Sequence, residues 1–198
     1  MNYLYHGSII SRIKQLKPVS TLNGIENKVV YLTDNIPYSL FYIWDKTHNH
    51  FDGKHVTAWI KDGTAYYEEQ FPDQLKAFYS GVSGYLYIVR FSLGISAVEC
   101  REQLYYSTES VDTEREEFIP NVYSELIKYE MTGELKVRRF NEQSEKRKNE
   151  LIDMISQVIV KNDYIKNPDT PKAEFYRKYF TDAWKKATQT KQDGDFPL

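Results

Sequence analysis

Strand-like segments at irregular intervals fill the first 140 residues of this 198-residue chain, and helical periodicity fills the last 58. The clearest strand is the apolar and aromatic run at residues 85–91. Irregularly spaced strands fit a mixed α+β fold better than a regular β-α-β winding. Beyond residue 140, apolar residues recur three and four positions apart, which places them on one face of a helix. We therefore predict an α+β domain over residues 1–140 and a helical extension over residues 141–198, packed on or beside that domain.

Local sequence signals predict several individual elements. Ser8 can cap a helix over residues 9–16, because the apolar positions that follow it have helical spacing. The Lys-Asp-Gly sequence at residues 61–63 predicts a hairpin turn between two strands. Residues 114–131 predict a helix, in which Pro120 marks a break or a late start.

Composition excludes several classes of protein. The formal net charge is −2, so no overall electrostatic field attracts nucleic acid or anionic lipid. No apolar run reaches the length of a membrane-spanning helix, and the N-terminal residues lack the basic and apolar regions of a secretory signal. The single cysteine, Cys100, excludes an internal disulfide and a cysteine-based zinc site. We therefore expect a cytoplasmic protein without a membrane partner.

Two compositional features have competing interpretations. Seventeen tyrosines fit strand-rich structure with amphipathic surfaces, and they also fit a stacking surface for nucleotides. His48, His50 and His55 lie close to Asp45 and Asp52, and these are residue types that bind metals. Their spacing matches neither the helical histidine pair nor the zinc-finger pattern, so no metal is predicted.

Two short stretches near the N-terminus carry the strongest chemical signal. Residues 5–8 read Tyr-His-Gly-Ser, and residues 30–34 read Val-Tyr-Leu-Thr-Asp, followed by Ser39 and Tyr42. The first stretch supplies an imidazole next to a glycine. The second supplies a phenol, a hydroxyl and a second phenol on a strand-to-helix turn. An amide requires a donor and an acceptor in fixed register, and a glycine lets the backbone come close enough to supply both. These residues therefore suit a pocket for a flat ring that bears an amide and for a ribose.

The two stretches resemble the His-Tyr-Glu branch of the ADP-ribosyltransferases, the diphtheria-toxin and poly(ADP-ribose) polymerase catalytic fold. In that branch a His-Gly-Ser or His-Gly-Thr turn precedes a tyrosine, then a serine eight residues later and a second tyrosine three residues after that. His6 begins such a turn, and Tyr31, Ser39 and Tyr42 have this spacing. Asp34 also matches the family's Tyr-x-x-Asp pattern. The resemblance implies an ADP-ribosyltransferase-like split sheet, mixed or antiparallel, with flanking helices.

The resemblance also implies a role for each residue of the two stretches, with NAD as the substrate and no metal. The residues implied to bind NAD are Gly7, Ser8, Ser39 and Tyr42, and His6 and Tyr31 belong to the catalytic set. Tyr31 and Tyr42 would pack on the two faces of the nicotinamide ring. Gly7 and Ser39 would hold the amide of that ring, and His6 would bond the ribose on the adenosine side.

The third residue of the branch is a glutamate at the head of a strand of the form Glu-x-x-x-Tyr. Glu102, followed by Tyr106, has that form. In the family this carboxylate bonds the hydroxyl of the nicotinamide ribose and stabilises positive charge while the glycosidic bond breaks. A carboxylate suits the task because the transition state resembles an oxocarbenium ion. Four more glutamates are candidates for this role, namely Glu68, Glu69, Glu117 and Glu125.

The resemblance implies a mono-ADP-ribosyltransferase-like enzyme that cleaves NAD at the nicotinamide–ribose bond. The unknown acceptor of ADP-ribose could be a protein, a nucleic acid, a small molecule or water. Cys100 stands where arginine- and asparagine-modifying relatives carry a glutamate or glutamine, so those acceptors are not expected.

A second hypothesis is a non-catalytic module that binds NAD, ADP-ribose or a partner. A third is a relative of the RNA 2′-phosphotransferases, which would need arginines for phosphate, and the motif segments offer Arg12 and Arg101.

Overall fold

A computed structural model describes residues 3–49 and 57–192. The strands are β1 (Tyr3–Ser8), β2 (Gln15–Leu16), β3 (Ser20–Leu22), β4 (Ile25–Thr33), β5 (Ala58–Lys61), β6 (Thr64–Glu68), β7 (Gly84–Arg90), β8 (Ser96–Ala97), β9 (Leu104–Ser107), β10 (Val111–Asp112), β11 (Arg115–Ile119) and β12 (Leu135–Arg138). The helices are α1 (Ile36–Leu40), α2 (Lys46–Asn49), α3 (Gln74–Tyr79), α4 (Val122–Thr132), α5 (Glu145–Lys161), α6 (Pro171–Tyr179) and α7 (Thr181–Gln192), with a 3-10 turn at Phe140–Glu142.

The largest sheet has the strand order β11-β7-β1-β4-β9-β8, and β3 pairs with β4 beside this row. Neighbouring strands in the row are antiparallel. Smaller sheets join β10 to β2 and β12 to β6 and β5. The predicted mixed α+β class is therefore confirmed. The more specific ADP-ribosyltransferase-like topology stays a prediction.

The chain divides into two compact units. The first comprises Met1–Asp45, Val56–Tyr67 and Leu75–Val137, and the second comprises Lys46–His55, Glu68–Gln74 and Arg138–Leu198. The second unit thus takes in two earlier segments as well as the C-terminal region that the sequence assigns to an extension.

Buried aliphatic side chains from neighbouring strands form a core in the first unit. Leu4 on β1, Leu32 on β4 and Val89 on β7 are almost fully excluded from solvent. Burying one such side chain contributes about 1.5–3 kcal/mol. A slip of one residue would turn these side chains to the opposite face of the sheet, so the core fixes the register of the strands that carry the candidate site.

β1 lies between β7 and β4 but pairs with them unequally. All six of its residues have a partner on β7. With β4, the register within the described residues is limited to Tyr5 opposite Thr33. The large sheet therefore opens between β1 and β4 beyond this pair, and the opening leaves room for side chains between two neighbouring strands.

The predicted helix over residues 9–16 is wrong. The segment is irregular and ends in β2. The hydroxyl of Tyr87 donates to the carbonyl oxygen of Ile10 at 2.7 Å and accepts from the backbone N–H of Ile13 at 3.1 Å. A tyrosine on β7 thus satisfies backbone groups that a helix would have satisfied locally. Ile10 is 62% exposed, so the helical spacing of apolar residues does not mark a buried face here.

The predicted helix over residues 114–131 is wrong in its first half. Residues 115–119 form β11, which pairs with β7. Pro120 follows this strand, and α4 begins only after Asn121, whose side chain accepts a hydrogen bond from a backbone N–H of the first turn. The proline thus separates a strand from a helix, because it has no N–H to continue either hydrogen-bond pattern.

Two further predictions concern a hairpin turn and the C-terminal region. The hairpin turn at residues 61–63 is confirmed, since it joins the antiparallel pair β5 and β6. The C-terminal region, predicted to be helical, ends in two separate helices, α6 and α7, on either side of the buried Phe180. No helix in the described part of the chain is both long enough and apolar enough to span a bilayer.

Candidate functional site

A narrow cleft lies where β1 and β4 separate. Its cavity volume is about 10 Å³, roughly the space of one water molecule and far below the roughly 300 Å³ at which ligand pockets begin. The residues that line it are Tyr5, His6, Gly7, Tyr31, Leu32, Thr33, Ser39, Tyr42 and Leu104. The structure therefore brings together five residues that the sequence places in one site, namely His6, Gly7, Tyr31, Ser39 and Tyr42.

The imidazole of His6 bridges the opening between the two strands. Its Nδ1 donates to the carbonyl oxygen of Tyr31 at 2.9 Å. This bond does the work of a missing backbone bond between β1 and β4 and holds the ring in one orientation. Because Nδ1 carries the hydrogen, Nε2 is the acceptor nitrogen of the neutral ring.

Gly7 is required by the close approach of β1 to α1. A Cβ at this position would collide with the carbonyl oxygen of Ser39 and would come within 3.0 Å of Cγ1 of Ile43. The absence of a side chain therefore has a structural cause, besides the role in amide binding that the family resemblance implies. The same close approach brings the buried Ser39 to the cleft.

α1 presents Ser39 through a well-formed N-terminus. Asn35 caps the helix by accepting from the backbone N–H of Tyr38 at 3.0 Å, and Pro37 lies in the first turn. The hydroxyl of Ser39 donates to the carbonyl oxygen of Ile36 at 2.6 Å. Its one hydrogen is therefore already donated, so towards a ligand Ser39 can act only as an acceptor.

Tyr31 and Tyr42 form the aromatic walls of the cleft. Their ring centroids are 6.5 Å apart, and the ring planes are tilted by 31°. A flat ring stacked between two parallel rings needs a separation of about 7 Å, so Tyr31 and Tyr42 would have to move apart and become parallel to admit one. Burial raises the pKa of the Tyr31 phenol and, with the neighbouring Tyr38, that of Tyr42, whereas the positive charge of Arg101 lowers both. Both phenols stay neutral at neutral pH and cannot act as bases.

Glu102 lies in the loop that leads into β9, the strand next to β4. Leu104 at the start of β9 is opposite Thr33, and the hydroxyl of Thr33 donates to the carbonyl oxygen of Gln103 at 2.7 Å. The loop is thus fixed beside the end of the strand that carries Tyr31. Glu102 itself is exposed and does not line the cleft.

Ser8 also lies outside the lining of the cleft. Its hydroxyl oxygen accepts from the backbone N–H of Ile10 at 3.1 Å. This contact turns the chain at the end of β1, and it gives Ser8 a local structural role.

Glu68 and Glu69, two further candidates for the role of Glu102, belong to the second unit and are buried there. Two nitrogens of Arg147 donate to the Glu68 carboxylate, at 2.6 and 3.2 Å. Glu69 accepts from the backbone N–H of Phe140 at 3.1 Å and pairs with Arg139 at 3.5 Å. Both carboxylates are therefore paired within the second unit, and neither lines the cleft.

Glu117 and Glu125, also candidates for that role, are both in surface ion pairs. Glu117 lies on β11, where it pairs with Arg115 at 3.5 Å, and Glu125 pairs with Lys128 on α4 at 2.6 Å. Two strands, β7 and β1, separate β11 from β4 in the sheet. Sheet order therefore favours Glu102, whose loop leads into the neighbour of β4.

The sequence does not reveal the polar residues that join the edge of the cleft to the loops around it. The side-chain amide of Asn35 donates to the carbonyl oxygen of Gly63 at 3.0 Å and to Oε1 of Gln103 at 3.3 Å. Asp34 has one buried carboxylate oxygen without a hydrogen-bond partner in the described part of the chain. Burial raises its pKa, against the opposite effect of hydrogen bonds that include one from Tyr105. The Asp-Asn-x-Pro sequence signals a helix start, but it does not signal these long-range contacts.

Within residues 3–49 and 57–192, no group of three or more His, Cys, Asp or Glu side chains could hold a metal ion. Of the residues considered for a metal site, His50, Asp52 and His55 lie outside the described residues. Comparison with protein-family models, curated proteins and solved structures found no match. The cleft is therefore interpreted from its own geometry.

Proposed function

We propose that this chain is a mono-ADP-ribosyltransferase-like enzyme, which cleaves NAD at the nicotinamide–ribose bond and transfers ADP-ribose to an acceptor or to water. The observation that carries the proposal is the cleft itself. Two motifs that are separate in the sequence supply its imidazole, its glycine, its buried hydroxyl and its two aromatic walls. These groups would stack on a flat heterocycle and hydrogen-bond its amide once the cleft has widened.

Nicotinamide would stack between Tyr31 and Tyr42. With centroids 6.5 Å apart and planes tilted by 31°, the two rings do not yet form a slot for a third ring, so they would have to move apart and become parallel when the ligand enters. Ser39, as an acceptor, would receive one N–H of the amide, and the backbone at Gly7 would complete the contact. Each stacked face contributes roughly 1–3 kcal/mol, by analogy with bases on aromatic side chains.

The reaction would break the bond between nicotinamide and C1′ of the ribose, and the electron pair would leave with nicotinamide. The remaining ADP-ribosyl cation is stabilised by a carboxylate near the ribose, and Glu102 is the residue proposed for it. An acceptor nucleophile then bonds to C1′ and loses its proton. His6 would accept a ribose hydroxyl hydrogen at Nε2 while Nδ1 keeps its bond to Tyr31.

Nicotinamide release from NAD tests the proposal directly. Purified protein is incubated with NAD and the products are separated by chromatography. The wild-type chain is expected to release nicotinamide, and both His6→Ala and Glu102→Ala are expected to release much less. Release that is unchanged in both variants would refute the assignment.

A non-catalytic binding module is the second candidate function. It is favoured by the exposure of Glu102, which does not line the cleft. Such a module would be stabilised against heat by nicotinamide or ADP-ribose, because a ligand that binds only the folded state raises the melting temperature. It would not consume NAD, and this difference separates the two candidates.

A further inference from the structure

Arg101 precedes Glu102 in the loop before β9 and carries an exposed guanidinium. Its side chain makes no hydrogen bond or ion pair to any residue that the structure describes. Two other arginines of the first unit differ in this respect, since Arg90 pairs with Glu114 at 2.7 Å and Arg115 pairs with Glu117 at 3.5 Å. Arg12 is also exposed, and its guanidinium likewise makes no hydrogen bond or ion pair to any described residue. A cation without a partner among the described residues is therefore available at this end of the sheet.

The loop that carries Arg101 is held in a strained conformation. Cys100 and Gln103, which bracket the Arg101–Glu102 pair, have φ angles of 58° and 56°, in the left-handed region that residues other than glycine rarely adopt. The backbone N–H of Arg101 donates to the carbonyl oxygen of Val98 at 3.3 Å, and Thr33 fixes Gln103. Strain that is held by specific contacts is typical of loops that position functional side chains.

The loop that carries Arg101 borders the cleft. Leu104, three residues after Arg101, lines the cleft, and so does Thr33, whose hydroxyl donates to the carbonyl oxygen of Gln103 at 2.7 Å. In agreement with this placement, the positive charge of Arg101 lowers the pKa of the Tyr31 and Tyr42 phenols, against the larger effect of burial. A ligand whose flat ring fills the slot would thus bring its next groups towards this cation. In a dinucleotide, the groups that follow the ring and its ribose are two phosphates, which match the planar donors of a guanidinium.

We propose that Arg101 binds the diphosphate of the dinucleotide whose nicotinamide ring enters the cleft, and that it thereby selects NAD over ligands that lack phosphate. The inference rests on the proposed function, because it takes NAD as the ligand. Arg101 is then a substrate-binding residue that acts on affinity, and its neighbour Glu102 acts on the reacting ribose.

Calorimetric titration of the full chain with ADP-ribose and, separately, with nicotinamide tests this inference. Arg101→Gln is expected to weaken ADP-ribose binding about tenfold or more, because a hydrogen-bonded charge pair is lost. Nicotinamide affinity is expected to stay within about twofold of wild type, since nicotinamide carries no phosphate. Arg101→Lys should give an intermediate loss, because lysine keeps the charge without the planar fork. Arg115→Gln, the same change at an exposed arginine on β11, is the matched control and should leave both affinities unchanged.

The outcomes separate this inference from the proposed function. Unchanged ADP-ribose affinity in Arg101→Gln overturns the inference alone, provided that the wild-type chain binds both ligands. An equal loss of both ligands in that variant also overturns it, because the substitution has then disturbed the slot and not a phosphate contact. A wild-type chain that binds neither ligand overturns the proposed function, and the inference fails with it.

Discussion

Two of the places where an arginine lies near a glutamate are built in opposite ways. In the second unit, Glu68 is 3% exposed and Arg147 binds it through two hydrogen bonds. In the first unit, Arg101 and Glu102 are adjacent in sequence, both exposed, and not paired with each other. Charges that satisfy each other stabilise a fold, whereas charges held apart on a fixed loop are available to a ligand.

The largest expected effect is on catalysis in the unpaired neighbourhood. Glu102→Gln should lower the rate of nicotinamide release about 10²–10³-fold, the usual cost of losing one electrostatic contact in a transition state. Glu99→Gln is the matched control, since it removes an exposed carboxylate from the same loop. Rates are compared at saturating NAD, and melting curves establish that both variants fold. Equal rates in the two variants would remove Glu102 from the mechanism.

The next largest effect is on stability, and it is expected at the paired arginine and not at the unpaired one. Arg147→Gln should lower the free energy of unfolding by about 2 kcal/mol, because it leaves the buried Glu68 carboxylate without its main partner. Arg101→Gln should leave that free energy unchanged, since Arg101 has no partner to lose within the described residues. Urea titration followed by circular dichroism measures both. A comparable loss in the two variants would show that the two neighbourhoods do not differ as described.

Gly7→Ala tests whether the cleft near Arg101 and Glu102 depends on the close packing of β1 against α1. The added methyl group meets the carbonyl oxygen of Ser39, so the variant should lose about 1–3 kcal/mol of stability. It should also bind nicotinamide more weakly, because Ser39 is pushed from its place. Gly133→Ala is a useful control, since Gly133 has a φ of 83° with open space around it and lies at the end of α4. That control should lose stability without losing nicotinamide affinity.

The smallest effect is expected at Asp34, a partly buried carboxylate without an arginine. Its pKa is raised by burial, so the folded state takes up a proton more readily than the unfolded state. The stability that this gives is present at low pH and is lost as the pH rises through the raised pKa. Asp34→Asn should therefore match wild type at about pH 3.5 and be more stable at about pH 7, by less than about 1 kcal/mol. Melting temperatures across this range measure the difference, and a constant difference at every pH would contradict it.

Five residues of the cleft are ones that the family resemblance groups in one site, and each of the two motifs that carry the resemblance is local in the sequence. The spacing from Tyr31 to Ser39 and Tyr42 spans one strand, one helix cap and one turn, and such short elements follow their sequence closely. Asn35 and Pro37 mark the start of α1 in the sequence as they do in the structure. The α+β class is predictable for the same reason, since alternating and helical periodicities are both local properties.

The wrong secondary-structure predictions have long-range causes. Residues 9–16 have helical spacing, but Tyr87 binds their backbone groups from another strand. Residues 115–119 are a strand because pairing with β7 decides their conformation, and a short charged strand has no distinctive sequence pattern. Cys100 and Gln103 adopt left-handed conformations that only the contacts of the loop impose, so no glycine marks them in the sequence. Tertiary contacts of this kind cannot be predicted from residues that are adjacent in the sequence.

The imidazole bond across the opening of the sheet has a consequence for how the molecule responds to occupancy. Where β1 and β4 separate, the hydrogen bond from the His6 side chain on β1 to the carbonyl oxygen of Tyr31 on β4 stands in place of a backbone hydrogen bond between the two strands. A compound that fills the cleft would form further contacts with both β1 and β4 and would hold these two strands together more firmly. Amide hydrogens of β1 and β4 should then exchange with deuterium more slowly when the cleft is filled, so that saturation can be read from the backbone even when no product is formed.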